Sequence, residues 1–144
     1  MSKLTDFFKK NNSGVAAVEF ALILPLLLWV LFGIINYGIL LYDQAVITNA
    51  AREGARWGSI NTTTTINCTG TATGSANPCQ IANSYTNANL ITFGSSTSSS
   101  TTASGTGTSG NTVTVTVTYT FTAIGWLLYS TTNALSATSV MYHE

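Results

Sequence analysis

Residues 20–42 read FALILPLLLWVLFGIINYGILLY and contain no charged side chain. At roughly 1.5 Å per residue this stretch reaches about 34 Å as a helix, enough to cross the hydrocarbon of one bilayer. A helix satisfies every backbone donor and acceptor internally, and that is what lipid demands. No other segment is long enough to span as a helix, so the sequence reads as a single-pass protein. Lys3, Lys9 and Lys10 precede the stretch with Asp6 the only acid among them and Glu19 at its edge, while Asp43, Arg52, Glu53, Arg56 and Glu144 follow it. The positive-inside rule then keeps the N-terminus cytoplasmic and exports the remainder.

Glu19 stands immediately before this stretch and five residues beyond Gly14. A charged group at a helix centre in lipid costs about 2.5–3.5 kcal/mol on insertion scales, and less near the interface. A lone acid kept at that edge calls for a partner. An amino group fits, and a cut after Gly14 creates one on Val15. Residues 1–14 then form a short basic leader, and the pairing points to a filament subunit. An ordinary secretory signal has an apolar region of about 7–15 residues and a small-x-small cleavage site. The apolar region counted from Val15 to Tyr42 is longer, and Glu19 would sit inside it. An uncleaved anchor remains the plainer alternative.

The helical pattern continues through residues 43–58. Ala50, Gly54 and Gly58 recur every four residues with Ala51 and Ala55 beside them, a flat ridge on which a helix or sheet can sit closely. Arg52 and Arg56 share the adjacent face, either solvated or against a neighbouring subunit. Arg56 is grouped with Ala50, Gly54 and Gly58 as a helix-packing candidate. Unbroken, residues 15–58 make a rod of about 66 Å. Pro25 removes one backbone donor and crowds the carbonyl of Ala21, which predicts a kink or a locally melted turn. Asn36 is the strongly polar residue of the span, to be satisfied either by a hydrogen bond across helices or, the favoured reading, by interfacial water.

Beyond Gly58 the composition turns to Thr, Asn, Ser, Gly and Ala. Cys68 and Cys79 are the only cysteines, on the side where disulfides persist. Bridging them closes a loop worth about 3 kcal/mol in the chain-entropy model. Two thiols without a nearby histidine do not make a metal site. Residues 78–88 suit a short helix with Pro78 at its start, and residues 90–93 a short strand. Residues 94–110 hold no charge and nothing larger than Thr, and read as a flexible insert. Residues 113–122 alternate Val, Val, Val, Tyr and Phe with threonines, a strand whose apolar face packs on the helix ridge and whose Thr face is solvated. Residues 135–142 give a second strand, and residues 124–129 either cap the sheet, the favoured reading, or dip into the outer membrane–water boundary. The fold class is therefore α+β: a long N-terminal helix entering a small exported domain with an antiparallel sheet.

Several functions are excluded by chemistry. Charged residues make up 7% of the chain, and lysine plus arginine balance aspartate plus glutamate at five each. Nucleic acid therefore has no basic stripe to meet. His143 is the only histidine, so the Ser and Thr hydroxyls lack an ordinary base. Neither an enzyme nor a cofactor site is expected.

The run Gly14-Val15-Ala16-Ala17-Val18-Glu19-Phe20-Ala21-Leu22, the following Leu24-Pro25-Leu26, and Ala50-Ala51-Arg52-Glu53-Gly54-Ala55-Arg56 together resemble the TadE-like family. These are minor pseudopilins of bacterial tight-adherence (Flp-type) pilus systems. The resemblance covers residues 13–58, and beyond them only the general pilin-like plan is similar. It implies cleavage between Gly14 and Val15 by a membrane prepilin peptidase, and assembly through Glu19, Phe20 and Pro25. It implies as partners other pilin and pseudopilin subunits, an inner-membrane assembly platform and membrane lipid. The location implied is the inner membrane, with the C-terminal domain periplasmic or carried to the surface in a pilus. Phe20 stands where the short major pilins of these systems usually have Tyr, and the domain after the helix is sizeable. Both features separate the chain from a major pilin. A pseudopilin of a type II-like secretion machine shares all this helix physics, and an uncleaved membrane-anchored adhesion domain shares the anchor.

Overall fold

The computed structural model describes residues 12–61, 65–69, 77–92, 99–106, 108–123 and 132–143. Helix α1 (Asn12–Asn61) is followed by β1 (Thr65–Thr69), α2 (Pro78–Asn89), β2 (Ser99–Thr106), β3 (Thr112–Thr122) and β4 (Thr132–Tyr142). The strands form one antiparallel sheet in the order β1-β2-β3-β4. The fold is α+β, with a helix long and apolar enough to cross a membrane. The chain divides into two units, residues 1–35 and residues 36–144.

In the first unit α1 begins at Asn12, inside the predicted leader, and continues through Pro25 as α-helix. The expected melted turn is absent. Proline forfeits one hydrogen bond, while the turns on either side keep theirs. Leu22, Ile23, Leu26 and Leu27 are all exposed on this helix, so nothing among the described residues covers them.

The second unit buries a regular stripe of the same helix. Asp43, Val46, Ile47, Ala50, Ala51, Gly54, Ala55 and Gly58 are buried, and Gln44, Arg52, Glu53 and Arg56 are not. Steps of three and four place the buried set on one helix face. That face meets β3, whose Val113, Val115 and Val117 are fully buried and whose Tyr119 and Phe121 are nearly so. Each buried valine contributes on the order of 1.5–3 kcal/mol. The intervening threonines Thr112, Thr118 and Thr120 are exposed, and strict alternation divides the strand between core and solvent. Gln44 donates from Nε2 to the Ser136 carbonyl at 3.2 Å, occupying one backbone acceptor of the edge strand β4.

Helix α2 starts as its residues dictate. The Asn77 side chain accepts the Gln80 N–H at 2.8 Å, and Pro78 fills the first turn, where a missing N–H costs nothing. It ends where the Leu90 N–H reaches the Thr86 carbonyl at 2.9 Å.

Several expectations are corrected here. Residues 90–92 are not a strand: Leu90 is spent on capping α2. The predicted flexible insert 94–110 contains β2, which pairs with β1 on one side and β3 on the other. Its buried positions Ser99, Thr101 and Ala103 alternate with exposed Ser100, Thr102 and Ser104. A strand can be laid down with small side chains if their hydroxyls find partners, as they do below. Gly105 in this strand has φ +144°, and a Cβ there would collide with the Thr112 carbonyl. Only glycine tolerates both conditions. The proposed cap at 124–129 lies outside the described residues.

Helix α1 packs tightly at Gly54. A Cβ there would stand 2.8 Å from the Pro78 carbonyl oxygen and 3.1 Å from the Ala82 Cβ. Gly54→Ala in the full-length protein in micelles is expected to lower unfolding stability by about 1–2 kcal/mol. An overpacking cost of about 1–3 kcal/mol outweighs the roughly 1 kcal/mol gained in helix propensity. Denaturant titration measures the difference.

Candidate functional site

The N-terminal part of α1 places Gly14, Val15, Glu19, Phe20 and Pro25 on one continuous helix, and all five are exposed. Val15 and Glu19 are one turn apart and share a face. Glu19 has no ion pair among the described residues, where the salt bridge is Arg56 to Glu53 at 3.5 Å. On α1 the only cations are Arg52 and Arg56, more than thirty residues further along the sequence. A Cβ added to Gly14 would meet nothing within 4 Å, so the chain's own packing does not require glycine there.

Further along the helix, Ala50 and Gly54 are buried, and Gly58 meets β3 and α2. A Cβ on Gly58 would lie 2.8 Å from Val113 Cγ1 and 3.0 Å from Pro78 Cγ. Arg56 points outward, with its side chain 65% exposed, and takes no part in that contact. Cys68 on β1 and Cys79 on α2 form a disulfide with Cα atoms 6.3 Å apart, tying the helix to the edge of the sheet.

Beneath that disulfide lies a polar cluster the sequence reading did not anticipate. Asn83 Oδ1 accepts the Thr101 hydroxyl at 2.6 Å. The Thr86 hydroxyl donates to the Asn83 carbonyl at 2.9 Å, so the Ser99 hydroxyl is the donor to Thr86 Oγ1 at 2.8 Å, with Asn83 Oδ1 3.4 Å from it. All four residues are buried. The available signal was the spacing of Asn83 and Thr86, one helical turn apart and in phase with Cys79 and Ala82.

Asp43 was also missed as a packed residue. It is fully buried, its Oδ1 accepts the Ile91 N–H at 3.2 Å, and its Oδ2 has no partner among the described residues. Burial pushes its carboxyl above the ordinary carboxylate range, partly offset by the Ile91 hydrogen bond. Burial, together with the nearby Asp43 charge, also raises the Tyr119 phenol. The signal was phase: Asp43 precedes Val46, Ile47 and Ala50 by three, four and seven positions.

These features define a class: a protein with one exposed apolar helix of membrane-crossing length, carrying a small disulfide-bridged α+β domain. Residues 14–56 match the model of the TadE-like protein family, so the N-terminal helix is TadE-like and the C-terminal domain lies beyond the match. No curated protein and no solved structure matches the chain. The exposed apolar helix is long and apolar enough to serve as a membrane anchor.

The polar cluster yields a prediction. Asn83→Ala strands the buried Thr101 hydroxyl and is expected to cost about 1–3 kcal/mol. Adding Thr101→Val should restore part of that loss, so the double mutant is less destabilised than the sum of the singles. Thermal and denaturant unfolding of the four proteins measure the coupling.

Proposed function

We propose that this protein is a minor pseudopilin that helps to initiate or tip a tight-adherence pilus. It is held in the inner membrane by residues 15–42 with its N-terminus cytoplasmic. A prepilin peptidase removes residues 1–14, and an inner-membrane assembly platform extracts the mature chain. The observation that carries this reading is the combination of an uncovered apolar helix, an unpaired Glu19 within it, and a family match that begins at Gly14.

Cleavage after Gly14 leaves an ammonium on Val15. In a packed helical array this terminus neutralises Glu19 of an adjacent pilin or pseudopilin. At 4 Å and an effective dielectric near 20, the attraction is about 4 kcal/mol, and desolvation of both groups offsets part of it. The pairing favours one axial register over others, because a one-turn slip leaves both charges unpaired in an apolar setting. Free space around Gly14 supports the same reading: glycine there suits a peptidase's approach rather than the fold. Phe20 and Pro25 lie on the segment that would pack against neighbouring helices.

Two measurements test the proposal. Expressed with the prepilin peptidase, the protein should yield an N-terminus at Val15, and Gly14→Val should retain Met1. An unprocessed wild-type chain, or a cut elsewhere, contradicts the proposal. Glu19→Gln should be processed normally yet co-purify with pilus subunits at least tenfold less, equivalent to about 1.4 kcal/mol of lost pairing.

A further inference from the structure

Asp43 is the first residue after the uncharged stretch, and its side chain faces the interior of the second unit rather than solvent. Three elements or segments meet around it. Its own helix supplies Val46 and Ile47, the segment leaving α2 supplies the Ile91 N–H, and β3 supplies Tyr119. Tyr119 is 3% exposed and is the titratable group from a neighbouring element that registers the Asp43 charge. No lysine occurs after Lys10, and the cations beyond the stretch are Arg52, Arg56 and any protonated form of His143. Arg52 and Arg56 are exposed, and Arg52 is nine residues further along α1, about 13.5 Å by helical rise. Burial and the Ile91 hydrogen bond are the influences on this carboxyl, with no cation among them.

A buried carboxylate with one hydrogen bond and no counter-charge is far more costly than the same group protonated. Neutral, it keeps Oδ1 as acceptor for Ile91 and leaves Oδ2 uncharged. Ionised, it places a bare charge between α1, β3 and the end of α2. The inexpensive relief is local: residues 90–92 carry no secondary structure, so they can part from the helix and admit water. Local opening of this kind draws on the least stable part of a domain.

We propose that Asp43 is a protonation-dependent latch: protonated, it fastens the segment after α2 to α1, and ionised, it releases that segment. The device is independent of processing or assembly. It makes the C-terminal domain respond to acidity on its own side of the membrane, because the residue follows the apolar stretch directly. The sign follows from the raised carboxyl. Below the ordinary aspartate value of 3.8 the latch is fully closed, and its contribution is lost as pH rises through the higher folded-state value.

The test uses the full-length protein in detergent micelles. Carboxyl-carbon NMR, with the Asp43 signal assigned by its loss in Asp43→Asn, should show titration above the ordinary carboxylate range. Over the same pH interval the Ile91 amide should lose protection several-fold, after correction for base-catalysed exchange. Asp43→Asn retains the acceptor without the charge, so its Ile91 protection should stay flat with pH at the acidic wild-type level. Tyr119→Phe should leave the transition in place. Titration of Asp43 at or below 3.8 overturns the proposal, as does an Ile91 transition shared by Asp43→Asn or abolished by Tyr119→Phe. The wild-type carboxyl titration decides the matter even if a variant fails to fold.

Discussion

A single helix must satisfy two incompatible surroundings. Over its first unit α1 presents Leu, Ile, Phe and Trp outward with nothing among the described residues to cover them. Water cannot be the normal neighbour of such a surface, because leaving apolar area exposed forgoes about 25 cal/mol per Å². Lipid or other apolar helices have to supply the missing contacts. From Asp43 onward the same helix narrows to one buried face of Val, Ile, Ala and Gly and one polar face. The change occurs without a break in the backbone, so side-chain pattern alone separates an environment-seeking segment from a domain-building one.

The second segment works because its side chains are small. Gly54 and Gly58 leave no room for even a methyl group against Pro78, Ala82 and Val113. Apolar burial alone would be thin in a domain so rich in Ser and Thr. Two devices compensate. The disulfide from Cys68 to Cys79 joins β1 to α2, which restricts the unfolded chain. In the cluster of Asn83, Thr86, Ser99 and Thr101 the buried hydroxyls bond to one another and to Asn83, so they do the work that aliphatic groups do elsewhere. The hydroxyl-rich character of this domain is thus part of its core as well as its surface.

Much of this fold was legible from local signals. Uninterrupted apolarity marks α1, strict alternation marks β3, and Pro78 near its start marks α2. Cys68 and Cys79 were legible as a pair because no other cysteine competes. β2 was invisible to the same reasoning, since SSTTASGT has neither β-branched aliphatics nor aromatics to alternate. Its place is set by partners on both edges and by Asn83, which are tertiary facts. β1 was missed for a similar reason: Ile66 is its one strongly apolar residue. Pro25 suggested a broken turn, but a long helix absorbs one lost hydrogen bond. Asp43 looked like an ordinary charge flanking a span, and only its phase with Val46 and Ile47 betrayed the buried side. In the N-terminal segment, Gly14 and Glu19 were singled out by chemistry. The chain in isolation places both in the open, where a second molecule would have to complete them.

The most direct measurement is therefore intermolecular. Zero-length carbodiimide cross-linking of membranes from cells expressing the pilus system, followed by peptide sequencing, reports which amine lies against the Glu19 carboxyl. The expected product is an amide joining Glu19 to the N-terminal amine of a second processed subunit. A chain that still begins at Met1, with Glu19 modified only by an added water-soluble amine, would contradict an assembly role for this helix.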